Sequence, residues 1–322
     1  MLLLLVLLMS ACVFAQDAPE TLHVSSQLVL LDASIEVKKT GARISGLTLA
    51  DFTLIEDRKP QTLTYLSSGE LPLSIALLFD VTESVRPVLK MLEQGAETVL
   101  VRLRPEDQVA VLTFSTHAYM LQGFTADRAL VLKAIHKAAD ARETNEPTFI
   151  YEDMVQAIRQ TGPEPVPNQR RVQLWLTDGS ANIEEDFLTP FGGRNGPKLP
   201  GKTDATDALM RSGQVVSELI EESAITHRSM SAAHDRFGDI RAFADMTGGP
   251  VVESPGPQVV ARFGDLIDAI RQQYTVGYKP AETKAAGTLC HVDLRLSDGF
   301  FARHPEVRAK DVVVRTRSSY YR

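Results

Sequence analysis

Hydrophobic and polar positions change their period twice along this chain. Val24 to Val37 is rich in Val, Leu and Ile with partial alternation, and Asp51 to Glu56 and Gln61 to Leu66 are two short runs around Arg58-Lys59-Pro60. That pattern predicts strands, with a hairpin at the Arg-Lys-Pro break and no helix of useful length. From Leu73 the pattern alternates between strand-like and helix-like segments. Leu73 to Phe79 is apolar on both faces, as suits a central parallel strand covered by helices. Ser84 to Leu103 places Val85, Val88, Leu92, Ala96, Val99 and Leu103 at helical spacing, with Pro87 in the first turn, where a missing N–H costs little. Further strands are predicted over Gln108 to Phe114, Met120 to Phe124, Val172 to Thr177, Ala224 to Ser231 and Val251-Val252. Further helices are predicted over Ala126 to Ala139, Ile150 to Gln160, Thr206 to Glu222, Phe237 to Met246 and Val259 to Gln272, and Thr247-Gly248-Gly249 supplies a glycine stop. Past residue 273 strands return at Tyr274 to Tyr278, Leu289 to Leu296 and Val312 to Thr316, with loops at 280–287 and 297–310.

Repeated strand–helix alternation predicts an α/β fold: a doubly wound, mostly parallel sheet. The two flanking strand regions are each too short for independent stability, so they are expected to meet as one small β module. The expected organisation is a signal peptide over 1–15, N-terminal strands over 16–70, the α/β domain over 71–272, and C-terminal strands over 273–322 packing with 16–70. Residues 187–205, rich in Gly and Pro, read as a long flexible insertion.

Leu2 to Met9 carries no charge and is followed by small residues and Val13-Phe14-Ala15, which reads as a signal-peptide core with cleavage before Gln16. The run is too short to cross a bilayer, which takes about 20 apolar residues. Met9-Ser10-Ala11-Cys12 also reads as a lipobox, which would make Cys12 a lipid-bearing N-terminus and the only route to a membrane. Secretion or residence in the periplasm or cell envelope is the expectation. Only Cys12 and Cys290 occur, so cleavage leaves no internal disulfide, and Cys290 reads as a buried strand residue.

Net charge is −7 and pI is near 5.6. No Lys/Arg run exceeds two residues, so nucleic acid is not the expected partner.

The candidate chemistry starts at Asp80-Val81-Thr82-Glu83-Ser84, directly after the Leu73–Phe79 run. Ligands of open α/β sheets sit at the carboxyl ends of strands. Three oxygen-bearing side chains at alternate positions can converge there on one hard cation. The same residues are also common helix caps. Two other segments strengthen the metal reading. Val172 to Thr177 ends in Asp178-Gly179, bringing a second carboxylate to the same edge. Pro147-Thr148 stands in a loop just before a helix. No G-x-S-x-G elbow, H-E-x-x-H or C-x-x-C spacing, Walker A or G-x-G-x-x-G occurs, and no general base adjoins the carboxylates, so no enzyme activity is expected. His227, His234 and Asp235 read as solvated or capping residues.

Asp80-x-Thr82-x-Ser84, then Thr148, then Thr177-Asp178-Gly179 resembles the metal-ion-dependent adhesion site of von Willebrand factor A (vWA) domains, with Thr82 replacing the usual Ser and Glu146-Pro147 replacing the usual Gly-Gly. The resemblance implies Mg²⁺, with Mn²⁺ or Ca²⁺ as substitutes. Thr82, Ser84 and Thr148 would ligate through hydroxyls, and Asp80 and Asp178 directly or through water. An open vertex would accept a Glu or Asp carboxylate from a protein partner. Leu49 to Asp57, Gln273 to Pro280 and the Ser319-Tyr320-Tyr321-Arg322 end are similar to the bacterial secreted vWA-related proteins described from acidobacteria. The implied function is a metal-dependent binding or adhesion module. The alternative is a structural envelope protein with the same fold and no essential metal-dependent binding.

Overall fold

The computed structural model describes residues 28–82, 85–141, 149–164, 166, 168–177, 199–221, 238–255, 258–280 and 284–322. At its centre is a six-stranded sheet, ordered β10-β9-β8-β5-β6-β7. These strands are β5 (Leu73–Asp80), β6 (Gln108–Phe114), β7 (Tyr119–Thr125), β8 (Arg170–Thr177), β9 (Val215–Glu221) and β10 (Val251–Ser254). All neighbours pair in parallel except β6 with β7. The expected doubly wound α/β fold is therefore what forms.

Every residue of β5 and β8 is buried. Their alternate side chains feed two cores. Ile75, Leu77 and Phe79 pack with Val172, Leu174 and Leu176 beneath α1 (Arg86–Arg102), α2 (Arg128–Ala139) and α6 (Val259–Arg271). Ala76, Leu78 and Trp175 pack on the opposite face beneath α3 (Ile150–Thr161), α4 (Lys202–Ser212) and α5 (Gly238–Thr247). The helix α5 stops where the sequence expected. A Cβ on Gly249 would lie 1.7 Å from the Val216 carbonyl oxygen, so the chain closes onto β9 only without a side chain there.

One expected helix is two elements. Residues 206–222 begin in α4, which ends at Gly213 in the left-handed conformation (φ 68°), and continue as β9. Val215, Val216, Leu219 and Ile220 mimic helical spacing, but Val215 and Leu219 enter one core and Val216 the other, as alternate strand residues do. The strand expected at 224–231 lies outside the described residues. The insertion at 187–205 ends in helix, since α4 starts at Lys202.

The flanks assemble as expected, from strands of both ends. One antiparallel sheet is ordered β13-β1-β11-β4 and a second β14-β12-β2-β3. The N-terminal strands are β1 (Val29–Val37), β2 (Phe52–Glu56), β3 (Lys59–Gln61) and β4 (Leu63–Ser68). The C-terminal ones are β11 (Tyr274–Tyr278), β12 (Leu289–Leu296), β13 (Val312–Thr316) and β14 (Ser319–Tyr321). Leu31, Ile35, Leu54, Val276, Tyr278, Cys290 and Leu294 form the core they share. The segment 297–310, expected as loop, holds a short helix α7 (Asp298–Arg303), whose N-cap Ser297 accepts from Phe300 N.

The module docks at the amino edge of the central sheet. Arg170, at the start of β8, donates to Asp32 Oδ1 (2.9 Å), Ile270 O (2.9 Å) and Gln273 Oε1 (2.7 Å). Arg317 donates to the carbonyls of Met210 (3.2 Å) and Gln214 (3.1 Å) at the end of α4. Burial pulls the Arg317 guanidinium pKa down to about 10.

Candidate metal centre

The doubly wound order fixes where a ligand fits. From β5 the chain builds outward through β6 and β7, then returns to place β8, β9 and β10 on the other side of β5. The strand order reverses between β5 and β8, and the crevice outside their carboxyl ends is the binding position of such sheets. Asp80 ends β5 and Thr177 ends β8.

Asp80 is 1% exposed, and both its carboxylate oxygens are engaged. Oδ1 accepts from Thr82 N (3.0 Å) and Thr82 Oγ1 (2.6 Å), and Oδ2 accepts from Thr177 Oγ1 (2.7 Å). Parity explains the contact between strands. Phe79 pairs with Leu176, so Asp80 and Thr177 come level, and both point to the α3–α5 face with Leu78 and Trp175. The Thr82 hydroxyl donates its one proton to Asp80.

Helix α1 has Val85 as its N-cap with no side-chain capping bond, and Pro87 lies in its first turn as expected. The turn is held by its backbone. Val85 N donates to Thr82 O (3.3 Å), and Val81 N donates to Phe114 O (3.1 Å), tying the end of β5 to the end of β6.

Ser84, Thr148 and Asp178 lie outside the described residues, but each has a described neighbour. Val85 follows Ser84, Phe149 follows Thr148, and Thr177 precedes Asp178. Phe149 N donates to Ser115 O (3.3 Å), one residue past Phe114, which pairs with Asp80. The described neighbours Phe149 and Thr177 thus lie at the same edge as Asp80. Glu152 and Asp153 occupy the first turn of α3, and Asp153 is fully buried.

Sequence reasoning noted Thr177 only as part of Thr-Asp-Gly. Its hydroxyl bond to Asp80 depends on lateral register, which no linear spacing displays. Sequence reasoning also gave no sign of Glu218 in β9, a carboxyl 2% exposed whose Oε2 has no hydrogen-bond partner among the described residues. Burial pushes its carboxyl up to about 8, against a smaller opposing effect of Arg241.

Two other ligand-like groups exist among the described residues: Glu93, Glu97 and His136 on α1 and α2, and Glu56, Asp57 and Cys290 in the β module. Each already holds a lysine: Lys90 on Glu93, and Lys284 on Glu56 and Asp57. His227, His234 and Asp235 lie outside the described residues. No described helix is long and apolar enough to cross a membrane.

Residues 75–180 match the family model of the von Willebrand factor type A domain. No curated protein matches the chain. Among solved structures, an aerotolerance-related membrane protein from Bacteroides fragilis is 13% identical, covering 62% of this chain and 98% of its own, with a TM-score of 0.44. BatB from Bacteroides thetaiotaomicron is 15% identical with the same coverage and a TM-score of 0.43. Proximal thread matrix protein 1 from the mussel byssus, with a zinc-occupied MIDAS motif, is 15% identical over 68% of this chain and 50% of its own, with a TM-score of 0.49.

Proposed function

We propose that this chain is an extracytoplasmic binding module, of the bacterial secreted vWA-related type, that captures a partner's Glu or Asp carboxylate through Mg²⁺. The observation that carries this reading is the Asp80 carboxylate, sunk at the switch point and gripped by the hydroxyls of Thr82 and Thr177. The donor set suits a hard cation, since every proposed ligand is an oxygen. Asp80, Thr82, Ser84, Thr148 and Asp178 would hold the ion, which supplies an electrophilic point charge. The residues of the chain do the rest. Thr177 and Thr82 donate to Asp80 and so orient its carboxylate. Two carboxylates and three neutral hydroxyls leave room at the ion for one more acid group. No general base is assigned, so the module binds without catalysing. Residues 1–15 are proposed to direct export, with Cys12 as the point of attachment if lipidated.

Thermal unfolding with Mg²⁺ and with EDTA tests the site. A ligand of the native state alone raises apparent stability, by about 2.7 kcal/mol at one hundred times its Kd. Wild type should gain this, and Asp80→Ala should not. Equal curves for wild type with and without Mg²⁺ would rule the site out. Retention of a partner from envelope extract by wild type, lost on EDTA and in Asp178→Ala, tests capture separately.

A further inference from the structure

The β2–β3 hairpin turns on Asp57 and Arg58, both in the left-handed region (φ 45° and 69°). Neither is glycine, so the turn is held by its surroundings rather than by intrinsic preference. Asp57 N donates to His291 O (2.9 Å), and His291 N donates back to Asp57 Oδ1 (3.1 Å). That bond leaves Oδ2 facing Lys284, whose Nζ donates directly to it. Glu56 lies beside the pair with only 3% of its side chain exposed, and its Oε1 is 3.3 Å from Lys284 Nζ. Tyr320 Oη donates to the same Oε1 (3.4 Å), and Tyr278 Oη donates to Tyr320 (3.4 Å). Cys290 Sγ is 3.6 Å from Nζ. Cys290 belongs, with Val292 and Tyr278, to the core that the two flanks share.

We infer that Lys284 and Asp57 are the partners of an intramolecular isopeptide bond, with Glu56 as the proton-transferring residue. An amine nucleophile, a carboxyl electrophile with one oxygen held by a backbone N–H, and a buried second carboxylate in reach of the amine are the groups this condensation needs. Lys284 Nζ attacks Asp57 Cγ and an N–C bond forms. The His291 N–H stabilises the charge that develops on Oδ1. The Cγ–Oδ2 bond breaks, and Oδ2 leaves as water. An ammonium and a carboxylate become an amide and one water, so atoms and charge balance without an oxidant or co-reactant.

The starting state explains why Glu56 is required. The hydrogen bond to Asp57 raises the Lys284 pKa and keeps the amine protonated, and the same bond lowers that of Asp57. An ammonium is not a nucleophile, so a proton must leave Nζ before attack. Glu56 is positioned to accept in turn the two protons that Nζ loses, one before attack and one after, and to return both to Oδ2, which departs as water. The same lysine argues against a metal at Glu56, Asp57 and Cys290, because its ammonium already occupies the space between them. The bond would join β2–β3 of the N-terminal flank to the segment before β12 of the C-terminal flank. The sandwich would then stay closed even if the helical layers opened.

Mass spectrometry of the purified full chain tests this on the wild type. The folded protein is expected about 18 Da lighter than its processed sequence, the mass of one lost water. Trypsin should release a branched peptide joining residues 44–58 to 272–295, since Lys284 would resist cleavage and Lys279 precedes proline. Lys284→Arg should show the full mass and release 44–58, 272–284 and 285–295 separately, while remaining folded by circular dichroism. Glu56→Gln should accumulate the uncondensed form. A folded wild type at full mass, with the 44–58 peptide free, overturns the assignment. A bond that forms equally fast in Glu56→Gln overturns the role of Glu56. Neither result bears on the Mg²⁺ site, which lies on the other module.

Discussion

The two edges of the central sheet use buried aspartates in opposite ways. At the amino edge, Asp107 is fully buried; it accepts from Leu73 N (2.9 Å) and Arg104 N (2.8 Å) and pairs with the Arg271 guanidinium. Asp32, nearby, faces Arg170. These carboxylates are bound to cations the chain supplies. At the carboxyl edge, Asp80 is gripped by hydroxyls, which orient a carboxylate without cancelling its charge. The first arrangement locks strands, helix ends and the β module together. The second orients a carboxylate at the carboxyl edge, where the proposed ion would bind. A buried aspartate is therefore not informative by type, and its donors decide whether it is structural or receptive.

The largest expected effect lies at the amino edge. Asp107→Ala would leave two backbone N–H groups without their acceptor and the Arg271 guanidinium with the Leu71 carbonyl but no carboxylate. Breaking a buried pair on one side costs about 3–5 kcal/mol, so the urea midpoint should fall steeply whether or not Mg²⁺ is present. A small loss would mean that the amino edge is held by other contacts and that the contrast between the edges is overstated.

Glu218 comes next, because it is a buried acid of neither kind. Arg241 is engaged with Glu253, so its help to Glu218 is slight. The folded pKa is raised, from 4.5 to about 8. Such a group contributes its full stability below pH 4.5, where it is neutral in both states, and that contribution is lost as pH rises through 8. Wild type should therefore weaken between pH 5 and pH 8.5. Glu218→Gln, neutral throughout, should be the more stable protein at pH 8.5, by on the order of 3 kcal/mol, and similar at pH 4.5. Parallel pH profiles for the two proteins would show that the carboxyl finds a partner when it ionises.

These residues also mark how far the sequence could be read. Leu73 to Asp80 was legible because a strand buried on both faces is continuously apolar, and a polar residue ending it must sit at the edge. The Glu218 strand was not legible. Ser217 and Glu218 interrupt its apolar residues at a spacing that imitates a helix, and the stop at Gly213 is visible only once its positive φ is known. The flanks were legible as strands, but not as two sheets. Thr62 separates β3 from β4, and only pairing shows that β4 joins β11 while β3 stays with β2. At the site, Asp80 and Thr82 were named from the motif, whereas Thr177 entered only through register.

Asp80→Asn sharpens the contrast at the carboxyl edge. It preserves size but removes the charge and turns one acceptor oxygen into an N–H donor, which a threonine hydroxyl can accept by reversing its bond. Without Mg²⁺ its stability should lie within about 1 kcal/mol of wild type, the worth of an altered hydrogen bond. With Mg²⁺ the wild-type thermal gain should vanish. The opposite pattern, a large loss without metal, would make Asp80 structural like Asp107.

Thr177→Val gives the smallest and most discriminating effect. Valine keeps the β-branched shape that packs in β8 and deletes only the hydroxyl that donates to Asp80 Oδ2. If Thr177 merely fills space, both stability and Mg²⁺ affinity should be almost unchanged. If it positions the carboxylate, stability should fall by about 1 kcal/mol, while Mg²⁺ affinity falls at least tenfold, as for residues that orient a metal ligand. Titration calorimetry with Mg²⁺ separates the two, because a structural defect lowers the unfolding temperature with and without metal alike. Thr177→Ser, which restores the hydroxyl on a smaller side chain, should recover affinity more than stability. Recovery of stability alone would place Thr177 with the packing residues and leave Thr82 as the only hydroxyl shown to act on Asp80.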